Sequence, residues 1–281
     1  FNFANTLLNS GKYTEAIDMY KKTIELDPNF YRARINLGST MLSMSKFDEG
    51  FSEYSFRIFE DKNIKQFAHK KNQLWNGQNI ENKTILIIAE EGLGNTIQFS
   101  RYLETLSQLN CKIIFKCQEE LHHFFDESTY IEQLVSLDLD YNEFDYWCPL
   151  QNLIGILTPD LNTNCPFPSQ LKINDNKLLE WETLIEINNN VKIGLNWHGS
   201  PSNPRVASNS IDLKNFKNII ENENANFISL QKGSASFDIE KNKLEEKIIN
   251  YDLLMDTGSK KFFFFFSIVK YINIVITTDN A

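Results

Sequence analysis

The sequence predicts an α/β protein with a helical repeat segment at its front and two successive α/β halves behind it. Three observations carry that prediction. The first segment is self-similar at a fixed offset. Short apolar runs then alternate with helical spacers, the pattern of βαβ units on a parallel sheet. A second set of the same kind begins after a Pro- and Asn-rich stretch, Pro159 to Ser169, which reads as a linker. The 281 residues suit two domains, or three if one is small.

The repeats come first along the chain. Asn2 matches Asn36, Ala4 matches Gly38, Tyr13 matches Phe47, Ala16 matches Gly50 and Tyr20 matches Tyr54, each pair 34 positions apart. That period, with small residues where helices cross and an aromatic near the turn, resembles the tetratricopeptide repeat and implies α-helical repeats over residues 1–60. Proline cannot continue a helix, so Asp27-Pro28 ends the second helix of the first repeat. Fewer than two complete repeats are visible, and about three normally bury a continuous core. Either more repeats lie upstream or these pack on the neighbouring α/β domain. A plain helical hairpin with no binding role is the simpler alternative, and a protein partner held by the repeats is the functional one.

A polar, Lys-rich stretch from Asp61 to Gln73 precedes "LWNG" at Leu74 to Gly77. Apolar runs at Ile85–Ala89, Ile113–Lys116 and Tyr130–Leu137 then mark the first half, residues 74–170. The second half, residues 185–281, offers strands at Lys192–Trp197, Asn226–Gln231 and Ile272–Thr277, with a polar loop at Gly199–Asn209 and a helix near Leu213–Glu221. Two such units suggest a cleft between Rossmann-like halves, with ligands at the carboxyl ends of the strands.

Composition narrows the function. At 42% hydrophobic and 13% aromatic residues the chain can bury real cores and is not a disordered one. A net charge of −9 argues against a nucleic-acid partner, which needs clustered Lys and Arg. Cys111, Cys117, Cys148 and Cys165 form no CxxC pair and suit neither a zinc site nor a disulfide framework. They read as reduced thiols in a cytoplasmic protein. His69, His122, His123 and His198 make no metal-binding pattern, and the adjacent His122 and His123 diverge on a helix. The longest apolar stretch, Phe262 to Val269, is short of the roughly 20 residues a membrane span needs. No metal or cofactor is expected.

The candidate site residues sit at strand ends. "EGLGNTIQF" follows the first strand, with Gly92 and Gly94 making either a ligand-binding or a merely structural turn, and Gln98 on the helix beyond. "IGLNWHG" ends the first strand of the second half, where Trp197 either stacks on a base or sugar or plugs the core. His198 is the histidine placed at a strand end. "FISLQKG" puts Gln231, Lys232 and Gly233 after another strand, with Lys232 either meeting a phosphate or solvated. Asp279 in "VITTDNA" binds a hydroxyl or caps a helix.

With "GFSEYSFR" at Gly50–Arg57, "AEEGLGNTIQFSRY" at Ala89–Tyr102 and "FDYWCPL" at Phe144–Leu150, these segments together resemble one family. It comprises tetratricopeptide-repeat proteins fused to a glycosyltransferase family 9, heptosyltransferase-like domain of the GT-B fold. The resemblance implies an acceptor-binding first half and a nucleotide-sugar-binding second half. It also implies metal-independent, inverting transfer to a hydroxyl on a glycan or protein, with Gln231, Lys232 and Asp279 facing the donor. The family's loop reads GLGD, its aspartate being the general base; here Asn95 stands in that place, and Glu91 or Glu90 would have to substitute. The family also continues beyond the position of Ala281, so the sequence reads as a piece of a longer chain, truncated in its donor half. Five consecutive phenylalanines, Phe262 to Phe266, replace a mixed helix start. A non-catalytic, peptide-binding scaffold with a degenerate transferase domain is the rival expectation.

Overall fold

The computed structural model describes residues 1–90, 92–157, 190–199, 210–252 and 268–278. Glu91, Cys165, the linker expected at Pro159–Ser169, most of the expected Gly199–Asn209 loop, the Phe262–Phe266 run and Asp279 lie outside them. The chain divides into two compact units, Phe1–Gln170 and Leu171–Ala281.

Four helices open the first unit: α1 (Asn2–Asn9), α2 (Tyr13–Leu26), α3 (Tyr31–Ser43) and α4 (Phe47–Tyr54). Ala4, Ala16, Tyr20, Ala33, Leu37 and Met41 form the common core of the first three. Asn5 links three of them, accepting from the Tyr20 hydroxyl at 2.6 Å and from the Asn36 amide at 3.0 Å. The 34-residue period seen in the sequence recurs in backbone geometry. Lys12 N–H donates to Leu7 O and Lys46 N–H to Met41 O, both at 2.9 Å. Between them Gly11 and Ser45 each take left-handed backbone, with φ of 73° and 60°. Both turns are therefore Schellman-type helix ends, closed by the long bond and a left-handed residue. At Gly38 a Cβ would lie 2.4 Å from the Tyr54 backbone nitrogen, so α3 and α4 approach more closely than any side chain permits. The α2 helix stops at Leu26, ahead of Pro28.

The Lys-rich stretch after α4 is structured. Two 3-10 segments, Ser55–Phe59 and Lys65–Gln73, bring Ile58, Ile64 and Phe67 onto one face of a sheet. That sheet has strands β1 (Thr84–Ile88), β2 (Lys112–Cys117), β3 (Gln133–Ser136) and β4 (Tyr146–Pro149), all parallel in the order β3-β2-β1-β4. The sequence pattern anticipates β1 to β3 and misses β4 as a strand. Its four residues hold few of the branched side chains that mark strands, and Trp147 is recognisable only by its burial under Phe67. Helices α5 (Leu93–Phe99) and α6 (Arg101–Ser107) follow β1. From Ile85 to Ile88 every β1 residue is fully buried, as expected for a parallel strand covered on both sides.

The second unit holds β5 (Val191–Asn196), β6 (Ala225–Ser229), β7 (Ile248–Asn250) and β8 (Ile274–Thr277), parallel in the order β7-β6-β5-β8. Leu195, Trp197, Leu213, Phe216 and Phe227 form the core on one face; Ile228, Leu230 and Ile268 pack on the other. Gly194 in β5 leaves room for its neighbours: a Cβ there would meet the terminal methyls of Leu230 and Ile272 at 2.7 and 2.9 Å, and those side chains would have to shift. The expected helix at 213–221 is a 3-10 turn, Leu213–Phe216, running into a short helix, Lys217–Ile220. Asp212 caps it, accepting from the Lys214 backbone at 3.0 Å. The three-residue β7 has no counterpart among the expected strands.

Candidate active site

The carboxyl end of β1 passes through Ala89 and Glu90 into the glycine turn and α5. Gly92 is exposed, with φ −51° and ψ 159°, and a Cβ there would meet nothing within 4 Å. Its conformation is open to any residue, so the turn does not itself demand glycine at 92. What the missing side chain leaves is open space in front of α5. Gly94 and Asn95 are half-buried on the first turn of that helix, and Gln98 is exposed one turn on. Thr96 faces inward and donates to Gln118 Oε1 at 2.9 Å, tying α5 to the loop after β2. Helix α5 also packs on the 3-10 turn Leu150–Asn152 that follows β4.

Glu90, a candidate stand-in for the missing base, is committed elsewhere. It is 2% exposed, and its carboxylate pairs with the Arg57 guanidinium and accepts the Gln151 backbone N–H at 2.8 Å. Its carbonyl accepts from the Asn63 amide at 2.9 Å. Arg57 in turn donates to Tyr54 O and Asn152 Oδ1, at 3.1 and 2.6 Å, and lies over the Tyr54 ring. Arg57, Gln151 and Asn152 have no role assigned from sequence. The only available signal is an arginine closing the "GFSEYSFR" motif between the helices and the sheet.

In the second unit Trp197 is fully buried in the core, its indole N–H donating to Asp238 at 3.2 Å. The core-plug alternative describes that ring; stacking on a ligand does not. Gln231 is 5% exposed and spans two loops: its Oε1 accepts from the Trp197 and His198 backbones at 3.3 and 2.9 Å, and its Nε2 donates to His198 O at 3.0 Å. It shapes the loop that carries His198 rather than presenting its own amide outward. The half-buried His198 has Nδ1 at 2.5 Å from Gly199 O, which places a proton on that nitrogen. Lys232 is exposed. Asp252, unmarked by any sequence motif, binds Gly233 N–H at 3.1 Å and the Ser236 hydroxyl at 2.7 Å, holding the turn in which Gly233 has φ 76°.

Two four-stranded parallel sheets of the same strand order, one in each unit, place the chain among mixed α/β proteins. Solved structures give that class a more definite shape. The chain is similar to a glycosyl transferase of family 9 from Veillonella parvula DSM 2008, with TM-score 0.53 and 14% identity over 72% of this chain and 77% of that one. It is also similar to ADP-heptose LPS heptosyltransferase II of E. coli, with TM-score 0.50 and 10% identity over 70% of this chain and 79% of that one. These likenesses concern the fold. No protein-family model and no curated protein sequence matches the chain.

Proposed function

We propose that the chain is a glycosyltransferase that moves a sugar from a nucleotide-sugar donor to a hydroxyl of a glycan or protein. The observation that carries this reading is the fold shared with two family 9 enzymes, with a glycine turn leading into α5 at the carboxyl end of β1. Inverting, metal-independent transfer and a donor near Lys232 and Asp279 belong to the same proposal, on the strength of the motif resemblance. So do a cytoplasmic setting, supported by the free thiols of Cys111, Cys117 and Cys148, and the reading of α1–α4 as tetratricopeptide repeats. The duplicated Schellman turns at Gly11 and Ser45 support the repeats. Among the described residues no helix is long and apolar enough to cross a membrane.

Asn95 sets the catalytic level. An amide orients an acceptor hydroxyl without taking its proton, and losing a positioned general base removes about 10²–10⁴-fold in rate. The test is a transfer assay on the full-length gene product, with a panel of nucleotide sugars, comparing Asn95 with Asn95→Asp. A large gain for aspartate is the expected result; equal, robust rates would assign the base elsewhere. The second reading, a non-catalytic binding scaffold, is favoured by Asn95 and by the engagement of Glu90 with Arg57. Absence of turnover in both forms would favour it.

A further inference from the structure

A cavity of about 260 Å³ opens where the helical segment meets the carboxyl ends of β1 and β4, its lining drawn from α3, the Tyr54–Asp61 stretch, Glu90 and Gln151. Carboxyl ends of parallel strands are where α/β sheets hold ligands. The volume falls below the roughly 300–1,000 Å³ of pockets for drug-sized molecules, and suits something near one sugar ring. The polar groups of the wall divide into two kinds. Arg57 and Glu90 are spent on each other, and Arg32 is paired with Glu60 at 3.3 Å. Others keep capacity. Asp61 uses only Oδ1, accepting from the Asn63 and Ile64 backbones at 2.8 and 3.2 Å, which leaves Oδ2. Gln151 uses its backbone N–H and Oε1, and its Nε2 has no partner among the described residues. The Tyr54 hydroxyl is 3.5 Å from Gln151 Oε1, the outer limit of a hydrogen bond that a ligand hydroxyl could improve on.

Such a wall mixes donors and acceptors and carries no unpaired cation. With both guanidiniums matched to carboxylates and Asp61 left over, its residual charge is negative, which disfavours a phosphorylated or carboxylated guest. We propose that this cavity binds one uncharged sugar residue, its hydroxyls met by Asp61, Gln151 and Tyr54, with the helical segment forming the roof. That the bound sugar belongs to the acceptor rests on the glycosyltransferase reading; the site itself does not.

The test uses the full chain, with saturation-transfer NMR against glucose, galactose, N-acetylglucosamine and glucose 6-phosphate. At least one uncharged sugar should bind saturably in the millimolar range, and glucose 6-phosphate should not. The double variant Tyr54→Phe/Gln151→Met keeps the Arg57 contacts to the ring and backbone and the Glu90 bond to the Gln151 N–H, and should weaken binding at least tenfold. Amide shift changes on the unmutated protein, centred on residues 32, 60, 61 and 151, give a second readout if the variant does not fold. Equal binding of the phosphate, unchanged binding by the variant, shift changes centred elsewhere, or no sugar bound at all would each overturn the site. Sugar binding here without turnover of any nucleotide sugar keeps the site and removes the transferase reading. Turnover without sugar binding here does the reverse.

Discussion

The first strand of each sheet, β1 and β5, occupies the same place in the same topology, yet their carboxyl ends are secured by opposite means. Beyond β1, Glu90 is locked by a buried ion pair to Arg57, a residue supplied by the helical segment. Beyond β5, the Trp197-His198 backbone is held by the neutral amide of Gln231, supplied by the neighbouring strand's loop. Burying a charge pair costs several kcal/mol per ion in desolvation, which the mutual attraction offsets only if the geometry persists. A neutral amide bridge costs less to form and less to lose. The comparison teaches that the first loop depends on a remote element staying docked, whereas the second depends only on its own sheet.

The sharpest way to break this contrast is to orphan one charge. Glu90→Ala or Arg57→Ala should destabilise the first unit by about 3–5 kcal/mol, read as a drop in denaturation midpoint. Arg57→Met combined with Glu90→Gln, which keeps an acceptor for the Gln151 N–H, should recover most of that loss. An equal loss in the double variant would show that packing, not charge, holds the loop. Gln231→Met should cost less, about 1–3 kcal/mol, by leaving His198 backbone groups unpaired. A cost as large as that of Glu90→Ala would erase the distinction. The smallest effect concerns Cys148, whose thiol burial pushes well above its ordinary 9.0, with the Glu90 carboxylate adding to the rise. A folded-state pKa raised in this way contributes stability that is whole below the unfolded value and is lost as pH rises past it. Native-state alkylation of Cys148 at pH 8 should therefore be slow, and stability should decline above pH 9 more steeply than in Cys148→Ala.

How much of the molecule is legible in its sequence depends on where each signal resides. The 34-residue period that pairs Tyr13 with Phe47 and Tyr20 with Tyr54, and the apolar runs of β1, β2, β5 and β6, are local patterns, and they read directly. The strands β4 and β7 are not legible, because "YWCP" and "IIN" are too short and too mixed to declare a strand without their neighbours. Trp197 and Gln231 stand at strand ends where ligands bind, which makes them candidates. Only the distances show that one fills the core and the other spans two loops. Arg57 and Glu90 are 33 positions apart, and no spacing rule joins a helical segment to the end of a strand.

The docking of the 55–73 stretch on the first sheet bears on how the chain can be divided. Ile58, Ile64 and Phe67 supply part of that sheet's own core, and Arg57 supplies the counter-charge to a carboxylate buried at its edge. A boundary drawn at Leu74, where the apolar runs of the first half begin, would strip the sheet of one wall and strand an ion inside it. The 55–73 stretch therefore belongs with the sheet. Recombination or engineering that exchanges α1–α4 must leave that junction in place, cutting ahead of Ser55 rather than behind Gln73.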